Sequence, residues 1–477
     1  MVKLDNTVVC SQPKKVEQRR RQSIFIDYLL ATSTHGLRSV GRAHSNFNLV
    51  FWIIVFTAAF GLMLYFVIAA ILQYFAYPTQ TNVEIRLDRS MSFPAVTICN
   101  ANPFRYDRMN ASLASYFYRL YPLNATYNQS VINSLELSLI VDLINRNKTE
   151  ELWWVGFQLS DLLLQCTYNG IDCLNTFTPS MSTVFGNCFT FNWQTSTKIF
   201  TLNDFGNTSV MKEGLSMLFY IPREMYFPVQ NGDVGLTILL HDNKELPLPN
   251  ENGLNLQPSL SHLITYRKTE TTFLSSPYTE CMSDVSLDMR ALYEATFFND
   301  SSSTVIVYSE SVCLELCEQA YIFSQCSCIF PIPFLTRSVL TFDGRLVPAN
   351  FCNPSNQEAT CSFVSRRDFY ASEQIQTRWC SKCNAQCQHT DFIAHLSAQA
   401  APSDGEITYW KTTLLDGNNT SNVLLPNDFA QRFNYYFNRN YLKVRIACGS
   451  QYVTKYQQEA KLTIIDTFSA VGGQTGL

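Results

Sequence analysis

The chain has 477 residues, with 35 basic and 39 acidic side chains, a formal net charge of −4 and a mean hydropathy of −0.04. That balance leaves no basic footprint for nucleic acid, so no nucleic-acid partner is expected. With hydropathy near zero, one concentrated apolar segment in an otherwise globular sequence accounts for the composition, and the length allows more than one domain.

Residues 1–48 carry eight basic side chains (Lys3, Lys14, Lys15, Arg19, Arg20, Arg21, Arg38, Arg42) against three acidic ones, Asp5, Glu17 and Asp27. The surplus of five predicts a cytosolic N-terminus and leaves the rest of the chain at −9. The run Gln18-Arg19-Arg20-Arg21-Gln22 reads as a solvated patch beside anionic lipid. Ala31 to Gly36 is small, polar and turn-prone, and by itself its His35-Gly36 pair is an ordinary loop dipeptide. Leu49 to Phe75 then runs for 27 residues without a charge, interrupted only by Thr57 and Gln73. About 20 apolar residues cross a bilayer as a helix, with every backbone polar group satisfied internally. The reading is a transmembrane helix over 49–76. A buried helix of a soluble protein rarely stays uncharged this long, and a signal peptide is shorter and sits nearer the N-terminus.

Of 16 cysteines only Cys10 precedes the span, and most of the others crowd between Cys281 and Cys387. Such density fits either an oxidised framework or metal sites. Asn110, Asn124, Asn128, Asn147, Asn207, Asn299, Asn418 and Asn419 each open an N-x-S/T triplet, and all follow the span. Glycosylation acceptors confined to one side favour a disulfide-bonded extracellular region.

In chain order, Ser92 to Asn100 predicts a buried strand beginning at Pro94, and Leu135 to Asn145 has helical apolar spacing. A helical segment through Asp161-Leu162-Leu163-Leu164 leads to Cys166-x6-Cys173, a local staple, and then to Gly186-Asn187-Cys188-Phe189-Thr190-Phe191-Asn192. Leu215–Ile221 and Val234–His241 read as strands, and 242–260 as an irregular exposed loop. Helices are expected over Leu287–Phe298 and Val305–Cys328. On the second, Cys313 and Cys317 share a face, so both can be bridged to one facing segment, and Cys380, Cys383 and Cys387 form such a segment. Tyr441–Cys448 and Tyr452–Tyr456 read as strands before the sequence closes on Leu462 to Leu477.

Four motifs in this order carry a resemblance covering nearly the whole chain: His35-Gly36, Phe93-Pro94-Ala95-Val96-Thr97-Ile98-Cys99-Asn100, the segment Gly186 to Asn192, and Gly472-Gly473-Gln474-Thr475-Gly476-Leu477. The chain resembles the degenerin and epithelial sodium channel family, which includes acid-sensing and peptide-gated channels. The resemblance implies an α+β membrane protein: one transmembrane helix and a large disulfide-rich ectodomain (77–467) with a central β-sheet palm and helical finger and thumb regions. The cysteine-rich thumb would span 281–387. The implied bridges are Cys99–Cys188, Cys166–Cys173, Cys281–Cys387, Cys313–Cys383, Cys317–Cys380, Cys326–Cys361 and Cys328–Cys352, with Cys448 outside the scheme.

It further implies a homo- or heterotrimer in the plasma membrane that carries sodium ions and is blocked by amiloride. Gating roles fall to His35 and Gly36, to Tyr77 and Tyr278 as a contact joining thumb to membrane, and to Ser469, otherwise a good helix-start residue. Gly472, Gly473, Gln474 and Gly476 would form the pore mouth. The second transmembrane helix, beginning at 468, is expected to be cut off after Leu477 and its ion filter missing. The positions corresponding to the acid-sensing carboxylates are Lys244, Glu245, Phe363 and Arg367, one carboxylate of four. That favours an extracellular peptide or other small ligand over protons as trigger. The competing readings are a truncated non-conducting subunit and a single-pass receptor or adhesion protein. An enzyme is not expected: His35, His44, His241, His262, His389 and His395 show no metal spacing, no phosphate loop is present, and no cofactor is implied.

Overall fold

The computed structural model describes residues 24–34, 36–43, 45–121, 135–193, 199–205, 214–228, 232–296, 306–330, 336–415 and 423–475. Two compact units result: Met1–Gln80 with Ala460–Leu477, and Thr81–Glu459. In the first, a helix over 24–31 and one turn at Leu37–Gly41 precede α1 (Asn46–Phe75), which is apolar on every side and buries none of its residues. It is the one helix among the described residues long and apolar enough to cross a membrane. Its Thr57 hydroxyl donates to the carbonyls of Ile53 (2.9 Å) and Ile54 (3.0 Å), so the polar interruption is satisfied within the helix.

The strands of the structure are β1 (Thr79–Leu87), β2 (Ala95–Asn100), β3 (Leu163–Tyr168), β4 (Ile171–Asp172), β5 (Phe177–Ser182), β6 (Gly186–Phe191), β7 (Leu215–Tyr220) and β8 (Leu236–His241). They continue as β9 (Leu254–Leu256), β10 (Leu260–Thr272), β11 (Ser338–Leu340), β12 (Leu346–Pro348), β13 (Gln388–Ala400), β14 (Tyr441–Cys448) and β15 (Tyr452–Ala460). The larger sheet runs β1-β15-β10-β14-β7-β3-β4, with β13 also on β10. β10 is its spine. It pairs antiparallel with β13 from Leu260↔Ala400 to Thr272↔Gln388, and parallel first with β14, then with β15. A second sheet runs β5-β6-β2-β8-β9, and β11 with β12 makes a separate hairpin.

Aromatic rings fill the main core. Phe93 lies 4.9 Å from Tyr168 and 5.6 Å from Tyr266, and Phe191 lies 5.1 Å from Phe200, all centroid to centroid and edge-on or offset. Two of the sequence motifs meet here. β2 and β6 pair antiparallel with Cys99 opposite Cys188. Asn192, buried at a φ of 59°, donates its amide to the Phe93 carbonyl (2.6 Å) and accepts from the Phe200 amide (2.6 Å). Asn187 donates to the carbonyls of Trp153 (2.8 Å) and Phe157 (3.1 Å), packed so closely on Gly156 that a Cβ there would meet its amide at 2.7 Å. These asparagines satisfy buried backbone, which fixes the motif to the fold.

Peripheral helices α2 (Tyr106–Leu120) and α3 (Glu136–Asn145) pack a second core through Met109, Leu113, Leu139 and Ile144. Between residues 281 and 387 lie α4 (Leu287–Thr296), α5 (Glu310–Cys326), α6 (Gln357–Ala371) and α7 (Glu373–Trp379), with the β11–β12 hairpin against them. α5 begins where the Ser309 hydroxyl accepts from the Val312 amide, and α6 where Asn356 accepts from the Glu358 amide.

Three expectations change. The helix expected through Leu164 is one turn, Leu159–Leu162, and Leu163 already begins β3. Asn169 (φ 45°) and Gly170 (φ 80°) turn β3 into β4, a hairpin geometry that demands left-handed residues. The 242–260 segment is no exposed loop: Leu246, Leu248 and Leu256 are buried, Pro249–Asn252 forms a helical turn, and β9 pairs with β8. The second helix of the cysteine-rich region starts at Glu310 rather than Val305, because the Ser309 cap sets its origin.

Candidate functional site

The cysteine-rich helical region is organised by its bridges. The disulfides are Cys99–Cys188, Cys166–Cys173, Cys281–Cys387, Cys313–Cys383, Cys317–Cys380, Cys326–Cys361 and Cys328–Cys352, the pairs that the resemblance implies. Cys313 and Cys317, one turn apart on α5, face the segment after α7 together. Cys448 belongs to none of the seven, and its thiol donates to the Ser450 carbonyl at 3.0 Å. Cys10 lies outside the described residues.

Of the four positions compared with acid-sensing carboxylates, Glu245 is engaged away from the other three. Its carboxylate accepts from Gln386 Nε2 (3.0 Å) and lies 3.5 Å from His389 Nδ1, an ion-pair distance. His389 Nε2 contacts Asp391 Oδ1 at 2.7 Å. Held between two carboxylates, the imidazole is raised to about 9, Glu245 contributing most and burial opposing. Phe363 and Arg367 sit on α6, where Phe363 is 70% exposed and Arg367 pairs with its neighbour Asp368. Lys244 is exposed, its amide bonded to Asp242. The arrangement stores a cation–carboxylate pair in place of facing acids. His241, by contrast, is buried beside Thr97 (2.8 Å to Nε2) and pushed down to about 4 by desolvation, so it stays neutral.

In the membrane unit, Gly36 has a φ of 89°, and a Cβ there would meet Phe56 Cδ2 at 3.0 Å, so any larger residue strains both backbone and packing. His35 lies outside the described residues. Tyr77 follows α1 at a φ of 47°, its ring 6.4 Å from those of Tyr74 and Phe75. Tyr278, half-buried in the other unit, donates its amide to the Ser275 carbonyl. The final helix, α8 (Ile464–Thr475), packs beside α1. Its start corrects the reading of Ser469: Thr463 and Asp466 exchange side-chain and backbone bonds (2.9 and 3.2 Å), a reciprocal cap that puts Ser469 inside the helix, exposed. Gly472 and Gly473 lie within α8, and a Cβ at Gly473 would meet no other part of the described residues within 4 Å. Gly476, Leu477 and the Gln474 side chain lie outside the described residues.

Asn110 sits on α2, half-buried, and Asn147 is exposed in a left-handed turn after α3. The other six acceptor asparagines, Asn124, Asn128, Asn207, Asn299, Asn418 and Asn419, lie outside the described residues.

Residues 28–477 match the family described as amiloride-sensitive sodium channel. The chain belongs to that family. Among curated relatives, the bile acid-sensitive ion channel of Homo sapiens is 25% identical, over 99% of this chain and 86% of its own length. The epithelial sodium channel subunit alpha of Neoceratodus forsteri is 23% identical over 96% of this chain and 77% of its own. Acid-sensing ion channel 1C of Danio rerio is 22% identical over 94% and 78%. The chain is a sodium-channel subunit and not an enzyme. Family members are plasma-membrane channels with a large extracellular domain, and they form oligomers in the bilayer.

Proposed function

We propose that this chain is a subunit of a trimeric, amiloride-sensitive sodium channel opened by an extracellular peptide or other small ligand. In this reading the N-terminal 48 residues are cytosolic, 49–76 cross the plasma membrane, 77–467 are extracellular with 281–387 as thumb, and 468–477 begin the second pore helix. His35, Gly36 and Ser469 act in gating, and Tyr77 with Tyr278 couples thumb to membrane. Gly472, Gly473, Gln474 and Gly476 line the pore mouth, and the eight N-x-S/T asparagines, Asn110 to Asn419, carry glycans. The −9 balance of the chain after residue 48 raises local cation concentration at that mouth.

The observation that carries ligand rather than proton gating is the environment of Glu245. An acid trigger needs carboxylates that repel at neutral pH and share protons in acid. Here the retained carboxylate faces His389 and Gln386, so its partner is a cation rather than an opposing acid. Voltage clamp of cells expressing the chain, alone and with family subunits, tests the proposal. Sodium-selective, amiloride-blocked current evoked by peptide at constant pH is the expected result. A current evoked by acid alone, or none under any ligand or subunit combination, counts against it.

A further inference from the structure

A cavity of about 240 Å³ opens inside the cysteine-rich region, braced by the Cys313–Cys383 and Cys317–Cys380 bridges. Leu316 of α5, Leu340 of β11, Phe342 of the hairpin turn and Trp379 at the end of α7 give it an apolar lining. The rings of Phe342 and Trp379 meet edge to face, 5.3 Å apart. Yet Phe342 is 66% exposed, so this wall is a ring on a two-strand arm rather than packed core.

Asp288, in the first turn of α4, contributes a carboxylate to the same lining. Its residue is 7% exposed, and Oδ1 accepts one bond, from the Met289 amide at 3.0 Å. Among the described residues no cation lies within ion-pair distance of it. A helix N-terminus favours a carboxylate, and the bond that Asp288 accepts comes from its own helix. Three other charged groups border the cavity. Asp284, Arg378 and Lys382 are all exposed, and the Arg378 guanidinium lies over Phe342 at 5.5 Å. Solvent screens those; Asp288 is the charge a ligand meets inside, where interactions are screened least.

We propose that this cavity binds a small organic ammonium, its protonated amine on Asp288 and its aromatic or branched aliphatic body between Leu316, Trp379 and Phe342. Aromatic faces attract a desolvated cation, which adds to the carboxylate's selection of an amine over a neutral ligand of equal shape. The volume lies below the range of about 300–1,000 Å³ usual for drug-sized ligands, so the occupant is the size of one large amino-acid side chain bearing its amine. This site stands on its own residues and is separate from the gating reading, since its test measures binding whether or not current flows.

The probe is 2-phenylethylamine, with 2-phenylethanol as its uncharged counterpart, titrated calorimetrically into the full chain in detergent at neutral pH. Asp288→Asn keeps the acceptor for the Met289 amide and removes only the charge. The expected result is amine binding that weakens by about tenfold or more in Asp288→Asn, with the alcohol weak against both proteins. Phe342→Ala, at an exposed position, is expected to weaken the amine several-fold, and it keeps the test sound if Asp288→Asn fails to fold; intact disulfides on peptide mapping report folding. Equal affinity for amine and alcohol, an unchanged affinity in both variants, or no amine binding at millimolar concentration overturns the assignment.

Discussion

Around Phe93 the two large sheets meet through rings with no accessible surface, Phe93, Tyr168, Phe191 and Tyr266, whereas in the 281–387 region Phe342, Phe363 and Tyr370 are 66%, 70% and 57% exposed. The first region carries two disulfides and the second five. Buried rings hold the sheets; in the helical region smaller buried clusters, such as Met289, Leu292, Val312 and Leu316, share the task with cross-links. The cavity around Asp288 and Trp379 lies within the stapled region.

Removing the longest staple provides the severest test of this contrast. The Cys281–Cys387 bridge spans 106 residues, and replacing both cysteines by alanine should cost about 5 kcal/mol by loop-closure entropy, read as a lower urea midpoint for fluorescence-detected unfolding. Phe93→Ala attacks the other side of the contrast: a ring lost from a core that cannot collapse should cost about 4 kcal/mol, with every disulfide still formed. The Cys166–Cys173 bridge closes only 7 residues, so its removal should cost about 2 kcal/mol. If that pair mattered as much as Cys281–Cys387, loop length would not be the reason the helical region depends on its staples.

The smallest expected effect lies where the two regions join. His389 is raised to about 9 from an ordinary 6.5 by Glu245 and Asp391. A folded value above the unfolded one means its stabilisation is complete below pH 6.5 and disappears as pH rises through about 9. Its side chain is 34% exposed, and screening leaves about 1 kcal/mol of the effect. His389→Gln should therefore flatten the decline in stability between neutral pH and pH 10, and a decline of the same size in the variant would assign it elsewhere.

The sequence reveals elements whose side chains announce a single environment. β2 and β8 are mostly apolar because both faces are buried, and α1 is apolar all round. β10 and β13, the longest strands, give no such signal. Their residues mix Arg267, Lys268, Asp391 and His395 with apolar ones, since most positions stay partly open to solvent. α6 escapes notice for a related reason: it buries Ser362, Ser365 and Phe369, so its inner face has no apolar stripe. In 242–260, prolines and asparagines imitate an exposed loop while three leucines go inside. Asn169-Gly170 is a local hairpin signal, matched by the positive φ of both residues. For the site, the cysteine pairs were accessible through family resemblance. The engagement of Glu245 by His389 was not, because 144 residues of chain separate them and only the fold joins them.

The antiparallel ladder of β10 with β13 has a mechanical consequence. Its register is unbroken from Leu260↔Ala400 to Thr272↔Gln388, and Cys387, bridged to Cys281, immediately precedes Gln388 of the last pair. Sliding by one residue would turn the buried Ile264 and Tyr266 to the opposite face, and sliding by two would carry them about 7 Å out of their seats. The stapled helices are therefore forbidden to shear along the sheet.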